Sequence, residues 1–269
     1  MTMTGTYHTV QRDGEPADRD TLAPLAFAGY AHFTAMQVRG GRVRGLDLHL
    51  DRLRNASHEL FGQALPDERI RALLRAALRE AADDVSLVAT VYGAAGEFTA
   101  AAQAPHVLVR TAAPSAGPAG PLSLAVFGHE RMLPHIKHVG EVAKTWYLRE
   151  AATQGHDDAA FTDRHGHLSE ASIWNLAFWD GDSVVWPEAP MLSGITMQVV
   201  RRRLADLGIP QRSQAITPEQ AATTRGAAVM NSWTPGVAVH RIGTARLPDA
   251  APLVTVLHRA YALEPLVAP

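Results

Sequence analysis

The chain has 269 residues, 46% of them hydrophobic, and a formal net charge of −2. That length suits one large domain or two small ones around a sizeable core, and the near-neutral charge leaves no electrostatic footprint for nucleic acid or an anionic membrane surface. The absence of cysteine removes disulfides, thiolate metal sites and a cysteine nucleophile, and fits a reducing cytoplasm.

Residues 1–20 are polar, lack the apolar run of a signal peptide and are expected to fray at the start. No apolar run approaches the roughly 18–20 residues that cross a bilayer, so a soluble cytoplasmic protein is expected. From Ala31, HFTAMQV and VRGLDL read as strands around Arg39-Gly40-Gly41-Arg42, a tight hairpin. HLDRLRNASHELFG follows at helical spacing and ends at Gly62. Pro66-Asp67 opens a second helix with Ile70, Leu73, Leu74, Ala77 and Leu78 on its apolar face. VSLVATVY and HVLVRTA are strands.

The segment 113–121, APSAGPAGP, is rich in proline and glycine and reads as a linker. The expected domains are therefore 1–113 and 122–269, joined through 114–121. Past it come a strand, LSLAVF, and a helix, GEVAKTWYLREAATQG, with Val142, Trp146 and Arg149 along one stripe. Strand pairs flank turns at Arg164-His165-Gly166 and Asp180-Gly181-Asp182. A helix runs from near Thr196 to Leu207-Gly208, and Thr217, Pro218 and Gln220 form a capping box. AAVMNS and VAVHRI are strands, and 252–262 is a closing helix. The elements do not alternate strictly, which predicts an α+β or mixed α/β fold.

Phosphate-loop glycine motifs and a GxSxG elbow are absent. His135/His138 and His165/His167 lack metal-ligand spacing with partners, so no metal is expected. Lys137 and Lys144 are the only lysines; every other basic side chain is arginine. Arginine neither forms a Schiff base nor loses its proton near neutrality, so amine chemistry would fall to one of these two. Lys137 follows a short apolar strand and a proline, at a junction that would aim it into a cleft. Lys144 lies about two helical turns further on and reads as solvated. Glu170 follows the Gly166 turn, and Leu192–Thr196 is a small-residue loop entering a helix, where free backbone N–H groups and the Thr196 hydroxyl could cradle a dianion. Arg52 could add a bidentate contact. A lysine, a carboxylate and an anion cup are the parts a pyridoxal phosphate enzyme needs.

These segments resemble the class IV aminotransferases, the fold-type IV pyridoxal phosphate enzymes that include branched-chain and D-amino-acid aminotransferases and 4-amino-4-deoxychorismate lyase. HFTAMQVRGGRVRGLDLHLDRLRNAS, PHIKHVGEVA, GHDDAAFTDRHGHLSEASIWNLAFW and LSGITMQVV resemble the family's motifs in the family's order, across about residues 30–245. The resemblance implies a small N-terminal domain, a larger C-terminal domain and a cofactor cleft between them. It implies that Lys137 carries pyridoxal 5′-phosphate as an aldimine and that Glu170 faces the ring nitrogen. Arg52, Gly194, Ile195, Thr196 and Ser232 would surround the phosphate, with Asn175 beneath the cofactor. His32, Arg39 and Tyr92 are the candidates for substrate contact. A homodimer acting on an amino donor and a 2-oxo acid is implied. The chain departs from the pattern at His138–Glu141, at Tyr92-Gly93, where the family often ends a strand in Arg-Gly, and at Met197, where it commonly has arginine. Transamination is the primary expectation. A 4-amino-4-deoxychorismate lyase, and a family member that has lost the cofactor and serves in binding, are the alternatives.

Overall fold

The structure, a computed structural model, describes residues 7–27, 29–93, 100 and 104–269. It divides into two compact units. Unit 1 comprises Met1–Ser115, Ile136–Gly140 and Pro265–Pro269; unit 2 comprises Ala116–His135 and Glu141–Glu264. The first division falls inside the proline- and glycine-rich 113–121 segment. Neither unit is a single stretch of chain, unlike the contiguous domains expected.

Unit 1 contains β1 (Tyr7–Arg12), β2 (Glu15–Pro16), α1 (Arg19–Phe27), β3 (Ala31–Val38), β4 (Val43–Arg44), α2 (Leu46–Phe61), α3 (Asp67–Arg79), β5 (Val85–Gly93) and β6 (Pro105–Ala112). Five of the strands form an antiparallel sheet in the order β2-β1-β6-β5-β3. The polar N-terminal segment, expected to fray, thus supplies an ordered strand from Tyr7 onward. On α3, Ile70, Leu73, Leu74 and Ala77 recur at helical spacing and are buried. With Leu50 and Leu53 of α2 they pack on Met36, Val38, Leu87 and Val109 of the sheet. Leu22 and Leu25 of α1 pack against Tyr92 and Leu108.

The Arg39–Arg42 turn is as expected: Gly40 (φ 55°) and Gly41 (φ 68°) both take the left-handed conformation of a two-residue hairpin. The hairpin stops after one bridge, Arg39 to Arg42. Gly45, also left-handed, turns the chain directly into α2, so Leu46-Asp47-Leu48 are helical and not strand.

Unit 2 contains β7 (Leu122–Gly128), α4 (Val142–Thr153), β8 (Asp158–Thr162), β9 (Leu168–Ala171), β10 (Asn175–Trp179), β11 (Val184–Pro187), α5 (Ile195–Arg203), β12 (Gln211–Gln214), α6 (Pro218–Ala221), β13 (Gly226–Met230), β14 (Val237–Ile242), β15 (Ala245–Arg246) and α7 (Ala251–Ala262). The expected capping box at Thr217 and Gln220 is formed. Strands run in the order β12-β11-β10-β13-β14-β7-β8-β9, and β9 also pairs with β10. That pairing closes β10-β13-β14-β7-β8-β9 into a ring. Alternation along the strands sorts the side chains. Leu176 and Phe178 of β10 join Leu124, Leu168, Val229 and Val239 in one core. Ala177, between them, turns to the other face, where Met197 and Val200 of α5 and Leu253 and Leu257 of α7 pack. A third cluster joins Ala151 of α4 to Ala125, Ala159 and Phe161. The chain ends in β16 (Leu266–Val267), which belongs to unit 1 and pairs with β4.

The mixed α+β architecture is as expected. Among the described residues no helix is long and apolar enough to cross a membrane.

Candidate active site

Helix α4 decides where the second lysine goes. Its outward stripe carries Val142 (84% exposed) and Trp146 (65% exposed). Lys144 lies on the opposite stripe with Tyr147 and the buried Ala151, at spacings of three and seven residues. The expectation that Lys144 is solvated is therefore corrected. Its side chain is 11% exposed, and Nζ donates to Glu170 Oε1 at 3.0 Å. Arg131, 4% exposed, stands 3.7 Å from the same oxygen and 2.7 Å from Glu141 Oε1. Two cations thus face two carboxylates in a site shielded from water, where an isolated charge would be costly and a paired one is tolerated. Among the described residues no hydrogen bond reaches Glu170 Oε2.

His129 borders this cluster. Its ring lies 5.4 Å from that of Tyr147 and 5.0 Å from that of Phe161. Burial holds its imidazole below the ordinary histidine range; Glu141 and Glu170 oppose that shift, and Lys144 and Arg131 add to it.

Glu170 and Asn175 are direct cross-strand partners of β9 and β10, so their side chains share a face. Asn175 Nδ2 donates to Leu192 O at 2.7 Å, fastening the loop that enters α5. Gly194 completes this contact: a Cβ there would overlap Asn175 Oδ1. Helix α5 begins immediately after, and no side chain caps it. Its first-turn N–H groups lack intrahelical acceptors, and the helix dipole makes this end attractive to anions. The Thr196 hydroxyl donates to Asn231 O at 2.8 Å, so Thr196 offers an anion its backbone N–H. That same bond ties the start of α5 to the turn holding half-buried Ser232. Met197 is buried in the α5–α7 core, and its departure from the family pattern is a packing choice. Within unit 2, the structure thus brings Glu170, Asn175, Gly194, Ile195, Thr196 and Ser232 into one continuous arrangement.

Lys137 belongs to unit 1. Residues 136–140 run antiparallel beside β3: Phe33 N–H donates to Lys137 O at 2.8 Å and Val139 N–H to Ala31 O at 2.9 Å. Lys137 Nζ lies 4.8 Å from the centroid of the Phe33 ring. Arg52 is half-buried on α2, and its charge helps to depress the buried His49.

The three residues expected to contact substrate each have a partner within unit 1. His32 is fully buried, with Nε2 2.9 Å from Ser57 Oγ. Tyr92 is buried and donates through its hydroxyl to Thr21 O at 3.0 Å. Arg39 donates to Val38 O, Gln37 Oε1 and Ser115 O, fastening the hairpin to the start of the 113–121 segment. Sequence reasoning missed Arg131, and it noted Glu141 only as part of a departure from the family pattern. Lys144 carried a usable signal, its three- and seven-residue spacing to Tyr147 and Ala151. Arg131 carried none, being a loop residue without a pattern. No group of residues able to hold a metal occurs among the described residues.

A family model described as amino-transferase class IV matches residues 31–242. No curated protein sequence matches the chain. Among solved structures, a branched-chain aminotransferase from Thermoproteus uzoniensis, with norvaline, superposes with a TM-score of 0.81 at 19% identity, covering 96% of this chain and 94% of that one. A putative 4-amino-4-deoxychorismate lyase from Legionella pneumophila gives 0.78 at 18% identity, covering 90% and 93%. The T.th. branched-chain amino acid aminotransferase complexed with N-(5′-phosphopyridoxyl)-L-glutamate gives 0.78 at 18% identity, covering 97% and 94%. These likenesses establish a shared fold. With the family match spanning most of the chain, they make this protein a member of the class IV aminotransferase family.

Proposed function

We propose that the chain is a pyridoxal 5′-phosphate enzyme that transfers an amino group from an amino acid or amine to a 2-oxo acid. The observation that carries this reading is the unit 2 arrangement: a buried carboxylate engaged by Lys144 through Oε1, joined through Asn175 and Gly194 to an uncapped helix N-terminus. That donor set fits a phosphorylated heteroaromatic aldehyde, and the phosphopyridoxyl adduct of the T.th. enzyme supports the choice. When bound, pyridoxal phosphate supplies an aldehyde that condenses with amines and a ring that draws electrons from the adjoining carbon.

The residues divide the work. Glu170 holds a proton at the ring nitrogen through Oε2. The first-turn N–H groups of α5 and the Ser232 hydroxyl would hold the phosphate, a role the family resemblance also gives to the Arg52 guanidinium. Asn175 keeps the 192–194 loop in place beneath them. Lys137 would hold the cofactor's aldehyde through Nζ and would carry the substrate proton. Lys144 is unsuited to that task because it bonds directly to Glu170 Oε1. In pyridoxal phosphate the ring nitrogen and the aldehyde-bearing carbon are para, so a lysine on the ring-nitrogen carboxylate stands at the wrong end. We take the active form to be a homodimer, as the family resemblance implies.

Lyase action on 4-amino-4-deoxychorismate is the second reading, favoured by the likeness to the Legionella protein. A single assay tests both. Purified protein is loaded with pyridoxal phosphate, its bound cofactor is counted by mass spectrometry, and amino-acid turnover is followed with and without a 2-oxo acid. One cofactor per chain and turnover that stops without the acceptor is the expected result. Turnover of aminodeoxychorismate without an acceptor would establish the lyase, and a chain that retains no cofactor would remove both readings.

A further inference from the structure

The cluster behind Glu170 has no part in that division of labour, and it has an unusual asymmetry. Both cations approach one carboxylate oxygen: Lys144 Nζ at 3.0 Å and Arg131 Nη1 at 3.7 Å from Oε1. Arg131 is shared, lying closer to Glu141, at 2.7 Å, than to Glu170. Lys144 is therefore the nearer partner of Glu170. The inward stripe of α4 fixes its approach, and side-chain exposures of 11% and 7% keep the pair largely out of water. In such a setting a fixed cation acts on its neighbours far more strongly than at an open surface.

We infer that Lys144 is a positioning residue acting through Glu170: by engaging Oε1 it turns Oε2 toward the cofactor and limits how firmly that oxygen holds a proton on the ring nitrogen. The inference rests on the assignment of Glu170 proposed above. A carboxylate already sharing its charge with an ammonium is a weaker partner for a second cation. The ring nitrogen therefore gives up its proton at a lower pH than it would beside Glu170 alone. Arginine at position 144 keeps the charge and preserves the effect. An uncharged side chain of similar length removes it.

The test uses holoenzyme prepared with pyridoxal phosphate labelled with nitrogen-15 in the ring. The ring-nitrogen resonance is followed against pH in the wild type, Lys144→Met and Lys144→Arg, with thermal unfolding of each apoprotein as the control for folding. Lys144→Gln serves if the methionine variant does not fold. The expected result is a protonation midpoint at least about one pH unit higher in the uncharged variant, a tenfold change in proton affinity, with Lys144→Arg matching the wild type. Midpoints that coincide in all three, with cofactor bound, overturn the inference and leave the functional reading intact; lost thermal stability alone would mark Lys144 as structural. A wild type that takes up no cofactor overturns the functional reading and the inference with it.

Discussion

At the scale of single residues, the buried histidines of unit 1 make the clearest statement about pH. Burial pushes His32 down to about 4. It pushes His49 down to about 3, with the Arg52 charge adding to the effect and Asp47 opposing it. In the unfolded chain both would protonate near the ordinary value of about 6.5. The unfolded state therefore binds more protons throughout the window between these values. Stability is fully present above it and falls as pH drops through it. Each histidine should account for about 2 kcal/mol of stability lost between pH 7 and pH 5. Denaturant unfolding at the two pH values, in the wild type and in His49→Gln, measures this. The variant should lose less stability on acidification, and an unchanged difference would contradict the assignment. Neither histidine was legible as a core residue. In HFT and HLDRL they look like polar members of functional motifs, and only the apposition of β3 and α2 encloses them.

At the scale of elements, the junction from the 192–194 loop into α5 is the most constrained part of the candidate site. Gly194 has an ordinary φ of −64°, so its requirement is space and not backbone freedom. Asn175 Oδ1 fills the place a Cβ would take. Gly194→Ala must push Asn175 or the loop aside, at a cost of about 1–3 kcal/mol. It should also weaken pyridoxal phosphate binding, because the first-turn N–H groups move with the loop. Thermal unfolding and a cofactor titration of the variant check both, and wild-type values in each would contradict the account. The α5 boundary was readable from sequence because small residues run into an apolar-periodic stretch. The facing of α4 was not. Its Val142–Trp146–Arg149 stripe is the more conspicuous pattern, yet Val142 and Trp146 are exposed in this chain. The inward stripe pairs a lysine with small and aromatic side chains, which no hydrophobic count would choose. Strand β1 was hidden for a similar reason. Its buried Gln11 donates through Nε2 to Glu80, a partner 69 residues away that local pattern cannot supply.

At the scale of the whole molecule, the mixed α+β class and most elements of both units were legible, because strand alternation, helix spacing and glycine-proline punctuation are local signals. What joins distant stretches was not. The ring of strands in unit 2 closes through a single β9–β10 pairing, Glu170 to Asn175. Residues 136–140 leave their sequence neighbours to extend the sheet of unit 1 beside β3. That excursion gives the two lysines different surroundings: Lys144 is held on Glu170 in unit 2, and Lys137 lies over Phe33 in unit 1. Their difference in role is the central claim, and two lysines in the entire chain make it directly measurable. Protein loaded with pyridoxal phosphate is reduced with borohydride, digested, and its peptides are mapped by mass spectrometry. The phosphopyridoxyl group should be found on Lys137 alone. Recovery of the group on Lys144, or on neither lysine, would contradict the account.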